Sequence, residues 1–115
     1  MSEINNQGIR TVIYPVTDLA QAKERFHKLL GVEPYADSLY YVGFRIGDQE
    51  IGLDPSGHKA GMTAYYQVVD IKQSLQVLLD AGGQVEQVVK DVGGGMLIAA
   101  VKDADGNIIG LRQLP

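Results

Sequence analysis

A short stretch of this chain occurs twice. The segment Thr11-Val12-Ile13-Tyr14-Pro15-Val16-Thr17-Asp18-Leu19 returns, at one constant offset, as Thr63-Ala64-Tyr65-Tyr66-Gln67-Val68-Val69-Asp70-Ile71. Thr, Tyr, Val and Asp recur identically, Gln21 is answered by Gln73, and Gly31 by Gly83. Further on, Ile51-Gly52-Leu53 is echoed by Ile109-Gly110-Leu111 at a slightly larger offset, which requires a longer loop in the second copy. Two copies of one small unit predict a pseudo-symmetric domain that holds its site between its halves.

Composition narrows the class. With 115 residues, 45% of them apolar and 21% charged, the chain has the make-up of one globular domain with a single core. No run of eighteen apolar residues is present, so a membrane partner is not expected. Zero cysteines exclude disulfides, thiolate metal ligands and cysteine nucleophiles. A net charge of −4 without a Lys/Arg stripe argues against nucleic acid as a partner. The N-terminus lacks the basic start and apolar stretch of a secretion signal, and the expected location is cytoplasmic.

Periodicity then gives the elements. Apolar-rich strands over residues 9–16 and 63–69 each meet an aspartate, Asp18 or Asp70, placed to cap a helix, with glutamine three residues on. The first helix carries Leu19, Ala22, Phe26, Leu29 and Leu30 on one face and stops at Gly31. The second carries Ile71, Leu75, Leu78 and Leu79 and stops at Gly82-Gly83. Strands follow at about 33–37, 39–46 and 49–54 in the first copy, with Gly47-Asp48 as the hairpin turn. In the second copy they follow at 84–91, 96–102 and 107–113, with turns at Gly93-Gly94-Gly95 and Asp103-Ala104-Asp105-Gly106. The expected organisation is a single domain over residues 1–115, with module one at about 9–54, a turn-rich linker at 55–61, and module two at about 62–113. A helix on one face of each mostly antiparallel sheet makes this an α+β fold of two tandem βαβββ modules.

These features resemble the vicinal oxygen chelate superfamily of glyoxalases, bleomycin-resistance proteins and extradiol dioxygenases. The resemblance rests on the doubled module, the Val-x-Asp entry to each helix, the Gly31 exit, and the ending Asp103-Ala104-Asp105-Gly106-Asn107-Ile108-Ile109-Gly110-Leu111. It runs from Ile9 to Gln113 and implies a cupped sheet with helices on its outer face. In that family the cup often surrounds a divalent metal, held by a histidine early in each module's first strand and a glutamate late in its fourth. Imidazole and carboxylate suit Zn, Ni, Fe or Mn and leave positions open for a substrate with adjacent oxygens. Here the histidine positions hold Thr11 and Thr63, and the glutamate positions hold Gly52 and Gly110. No metal and no other cofactor is therefore expected. The chain's two histidines, His27 on the first helix and His58 in the linker, do not restore a site and read as surface or boundary residues.

Strand alternation selects what faces the cup. With Thr11 and Thr63 inward, Ile13, Pro15, Tyr65, Gln67 and Val69 follow, while Val12, Tyr14, Val16, Tyr66 and Val68 pack on the helices. Glu50 and Asp54 accompany Gly52, and Ile108 and Arg112 accompany Gly110. The candidate ligand-binding set is thus Thr11, Ile13, Glu50, Gly52, Thr63, Tyr65, Gln67, Gly110 and Arg112. The two glycines suggest space where the family places carboxylates. A plainer reading makes Glu50 and Arg112 an exposed ion pair, Tyr65 a packing residue, and Gly52 and Gly110 an accommodation to a tight sheet or a dimer contact. Three functions stay open. One is a metal-free protein that binds a small molecule in the cup. Another is a glyoxalase- or dioxygenase-type enzyme with Glu50 as base and Arg112 or Tyr65 as oxyanion partner. The last is a module whose cleft is vestigial. By resemblance, the expected partners are a small-molecule ligand and a second copy in a homodimer.

Overall fold

A computed structural model describes residues 5–56 and 61–115. The chain order is β1 (Asn6–Pro15), α1 (Leu19–Leu30), β2 (Ala36–Asp37), β3 (Val42–Ile46), β4 (Gln49–Asp54), β5 (Thr63–Val68), α2 (Ile71–Asp80), β6 (Gln84–Asp91), β7 (Leu97–Lys102) and β8 (Ile108–Gln113). The predicted α+β class and the doubled βαβββ order are both present. The chain forms two compact units: Arg10–Thr63, and residues 64–115 together with the described start of the chain up to Ile9. The middle of the predicted linker, including His58, lies outside the described residues.

The first unit orders its strands β2-β3-β4-β1. β1 runs parallel to β4, pairing Thr11 with Glu50 and Ile13 with Gly52. β3 and β4 are antiparallel, pairing Gly43 with Gly52 and Arg45 with Glu50. Their two-residue turn is Gly47-Asp48, with φ of 58° at Gly47 and no positive φ at Asp48, the sign pattern of a type II′ turn. The helix covers one face. Ala22, Val42, Phe44 and Leu53 form its core, with Tyr14, Val16, Leu19, Phe26 and Leu30 packed around them. The period of two in β4 therefore turns Ile51 and Leu53 toward the helix and leaves Glu50, Gly52 and Asp54 on the helix-free face.

The second unit repeats the scheme as β5-β8-β7-β6, with β5 parallel to β8. Its core is Val68, Ile71, Ala99 and Leu111, with Tyr66, Leu75 and Leu78 around it. Tyr65 pairs with Gly110 and Gln67 with Arg112. Leu111 points to the helix, so Gly110 and Arg112 take the other face. Both sequence-predicted caps form: Asp18 accepts from the Gln21 N–H at 3.0 Å and Asp70 from the Gln73 N–H at 3.1 Å.

Four boundaries or faces differ from the sequence reading. β1 begins at Asn6 instead of residue 9. Polar Asn5-Asn6-Gln7 hides this start, and what holds it is tertiary: the Val69 N–H reaches the Asn5 carbonyl at 2.9 Å, and Gln67 Nε2 donates to Gln7 Oε1 at 3.0 Å. β3 begins at Val42 instead of residue 39, because Ser38 Oγ accepts from the Tyr40 and Tyr41 N–H groups and bends the chain, leaving Leu39 and Tyr40 exposed. β2 is only two residues long. Leu29 is 73% exposed rather than on the core face, since Phe26 and Leu30 already fill the helix stripe.

Candidate functional site

The helix-free face of the first unit is built on two glycines directly opposite each other, Gly43 on β3 and Gly52 on β4. A Cβ at Gly43 would stand 2.8 Å from the Tyr35 ring. One at Gly52 would collide with the Tyr41 hydroxyl and stand 2.5 Å from Ile13 Cδ1. The missing side chains let two phenol rings settle close to the backbone, which is one physical use of glycine inside a strand. Tyr41 and Tyr35 are hydrogen-bonded to each other. Burial pushes the Tyr41 phenol well above its ordinary value, and Tyr35, then Glu50 and Asp54, push it the same way. Tyr41 therefore remains a neutral phenol beside two carboxylates.

Arg45 completes this surface. Its Nε donates to Glu50 Oε1 at 3.2 Å, and its guanidinium carbon stands 4.0 Å from the Tyr35 ring centroid. Asp54 Oδ1 accepts from the Ser56 N–H at 2.8 Å. Thr11, beside Glu50 in the register, is 8% exposed. Of the sequence-predicted set, Thr11, Ile13, Glu50 and Gly52 thus lie in this unit on neighbouring strands. So does Thr63, fully buried at the start of β5, its hydroxyl without a hydrogen-bond partner among the described residues.

Tyr65, Gln67, Gly110 and Arg112 belong to the second unit. A Cβ at Gly110 would stand 2.5 Å from Cδ1 of the Tyr65 ring. The sequence reading took the two glycines as open space, whereas each lies under a side chain from its neighbouring strand. Ile13 and Tyr65 occupy equivalent places in the repeat and cover equivalent glycines. Within the first unit, Glu50 takes Arg45, its cross-strand neighbour, and in the second unit Arg112 is 6% exposed.

Residues missed by the sequence reading are Tyr35, Tyr41, Gly43 and Arg45. Counting outward from the Gly47-Asp48 turn pairs Gly43 with Gly52 and Arg45 with Glu50, so the signal was available. A concavity of about 390 Å³ lies on the helix side of the second unit between Asn5, Tyr66, Ser74, Val77 and Ile109. None of the sequence-predicted ligand-binding residues lines it.

Thr11, Thr63, Gly52 and Gly110 offer neither imidazole nor carboxylate to a divalent metal, and among the described residues no three His, Cys, Asp or Glu side chains converge. The donor set does not fit a metal. His27, for its part, is a surface residue paired with Glu33 at 3.0 Å.

A family model described as the Glyoxalase/Bleomycin resistance protein/Dioxygenase superfamily matches residues 8–111. No curated protein matches the chain. Among solved structures, a methylmalonyl-CoA epimerase from Mycobacterium tuberculosis is similar at 20% identity and a TM-score of 0.76, covering 100% of this chain and 93% of that one. A hypothetical protein from Bacillus halodurans C-125 is similar at 14% identity and a TM-score of 0.75, covering 96% and 95%. A glyoxalase/bleomycin resistance protein/dioxygenase superfamily member from Vibrio splendidus 12B01 is similar at 16% identity and a TM-score of 0.70, covering 90% and 97%. At these identities the likeness is one of fold.

Proposed function

The chain belongs to the Glyoxalase/Bleomycin resistance protein/Dioxygenase superfamily, and we propose that within it the chain binds a small organic molecule without a metal, on the helix-free face of its first module. The observation that carries this reading is the pair of opposed glycines, Gly43 and Gly52, under the hydrogen-bonded rings of Tyr35 and Tyr41. Small-molecule sites are lined mainly by apolar and aromatic side chains with a few placed polar groups among them, and the rings of this face have such groups beside them. Glu50, Asp54, Arg45 and the Tyr41 hydroxyl supply those groups. With threonine and glycine at the family's ligand positions, recognition falls to these side chains instead of an ion.

The enzyme reading draws less support. A general base must reach a substrate proton, and Glu50 is already engaged by the Arg45 guanidinium. Methylmalonyl-CoA epimerases share the fold at 20% identity or less, which carries no activity across.

A fragment screen read by amide NMR tests the proposal. Hits are expected to shift the Gly43, Glu50 and Gly52 amides, and to do so equally with and without a chelator. Hits that shift only Ser74 and Val77, in the groove beside α2, would overturn the placement.

A further inference from the structure

We propose that the groove beside α2 is a second binding site, independent of the face of the first module, and that it takes a neutral carbonyl compound with an apolar body. The described residues that line it all belong to the second unit, and its volume of about 390 Å³ falls at the small end of the range for small-molecule sites. Tyr66 on β5, Leu78 on α2, and Ile109 and Leu111 on β8 make its walls. Val77, 60% exposed, carries the apolar lining out to the surface. Gly110 and Arg112 alternate with Ile109 and Leu111 and take the other face of the sheet, so neither enters the groove.

The polar groups along this groove are unevenly committed. Asn5 Oδ1 accepts from the Val69 and Asp70 N–H groups, each at 2.9 Å, and Asn5 Nδ2 donates to Ser74 Oγ at 3.0 Å. Asn6 Oδ1 accepts from the Gly8 N–H at 2.8 Å. Both amide oxygens are therefore taken by the backbone. Among the described residues, by contrast, the Ser74 and Tyr66 hydroxyls donate to no acceptor. Acceptors are engaged and donors are spare, so a ligand that brings an oxygen acceptor completes the set.

Charge narrows the class further. Among the described residues, no Asp, Glu, Lys, Arg or His lines the groove. A carboxylate or ammonium group entering from water would find no counter-charge, and its desolvation would go uncompensated. A neutral carbonyl loses far less on entry. The rim is also fixed in advance, because the Asn5 side chain is tied by three hydrogen bonds, one of them to Ser74. Such preorganisation lowers the ordering cost of binding.

Four probes of similar shape separate the chemistries: acetophenone, α-methylstyrene, benzoate and benzamidinium, each titrated into the full chain and followed at the Ser74, Val77 and Ile109 amides. Acetophenone is expected to bind about threefold or more tightly than α-methylstyrene, which has a methylene group in place of the carbonyl oxygen. It is expected to bind about tenfold or more tightly than either ion. Ser74→Ala should bring acetophenone to within about twofold of the hydrocarbon. Tyr66→Phe, which keeps the ring in the wall, serves if the alanine variant loses its dispersed spectrum. Equal binding of ketone and hydrocarbon, or a ketone preference that survives in both variants, would overturn the carbonyl. Equal or tighter binding of either ion would overturn the neutral class. If no probe moves these amides, or if they move with protein concentration alone as a second copy seated in the groove would make them do, the site itself is overturned. Shifts at Gly43 and Gly52 report on the first module's face and decide nothing here.

Discussion

The two modules share a plan and differ in what they place on their helix-free faces. In both, a first-strand side chain covers a fourth-strand glycine: Ile13 over Gly52, Tyr65 over Gly110. In the first module the strand opposite contributes a second glycine, Gly43, and with it room for Tyr35 and Tyr41. In the second, Ala100 stands opposite Gly110, and the atoms nearest a Cβ there all belong to Tyr65. Charge follows the same division, with Glu50, Asp54 and Arg45 in the first module and the deeply buried Arg112 in the second. The repeat has kept its frame and diverged in its surface.

The helices diverge in the same restrained way. α1 ends on Gly31, with φ of 73° and its N–H on the His27 carbonyl at 2.9 Å. α2 ends in a Schellman motif, where Gly83 N–H reaches the Leu78 carbonyl and Gly82 N–H the Leu79 carbonyl. Either solution satisfies the orphan carbonyls, so the punctuation tolerates change that the core does not.

The largest expected effects come from the two cores. Phe44→Ala should cost about 3–5 kcal/mol and Ile71→Ala about 2–5 kcal/mol in denaturant unfolding, since both side chains are buried and leave cavities. Next come the covered glycines. Gly110→Ala and Gly52→Ala should each cost about 1–3 kcal/mol through overpacking. Gly110 should be the worse of the two, because its new Cβ meets the fixed base of the Tyr65 ring, whereas Gly52 meets the far ends of Tyr41 and Ile13. A double-mutant cycle of Gly52→Ala with Tyr41→Ala should return a favourable coupling of about 0.5–3 kcal/mol; strict additivity would mean that Tyr41 does not lie on Gly52.

The caps should give smaller effects. Asp18→Ala and Asp70→Ala should each cost about 0.5–2 kcal/mol. The second helix start is also served by other side chains, as Asn5 Oδ1 accepts from the Val69 and Asp70 N–H groups and Gln113 Oε1 from that of Ile71. Asn5→Ala should therefore lower stability through the second module alone, which amide exchange of α2 would register.

The pH dependence should be smallest and opposite in sign for the two perturbed groups. Tyr41 is raised, so its contribution is complete below the ordinary tyrosine value of 10.0 and is lost as pH rises through the higher folded value. Tyr41→Phe should flatten that alkaline decline in thermal melts. Asp103 is lowered, chiefly by the Asn107 N–H and then by other hydrogen bonds in the β7–β8 turn. Its contribution is present above the ordinary value of 3.8 and is lost as pH falls through the lower folded value, so Asp103→Ala should blunt the acid limb.

Much of the frame was legible because it is local. The repeat, both aspartate caps, the Gly47-Asp48 turn and the alternation that turns Tyr14, Val16, Tyr66 and Val68 toward the helices are all written within a few residues of one another. What was not legible depends on pairing. The early start of β1 is fixed by Asn5 and Gln7 meeting residues 67–70. Tyr41 follows the exposed Leu39-Tyr40 turn, so the phase of β3 cannot be counted from the apolar run alone. The glycines read as space because glycine has no side chain, and only the ladder reveals whose side chain takes that space.

We propose that this member of the superfamily recognises its ligand through side chains and holds no divalent metal at the family's ligand positions. Calorimetric titration of the chelator-treated protein with zinc tests it most directly. No saturable one-to-one isotherm is expected, consistent with threonine and glycine at all four positions. Stoichiometric binding of one zinc at micromolar affinity or better would contradict it.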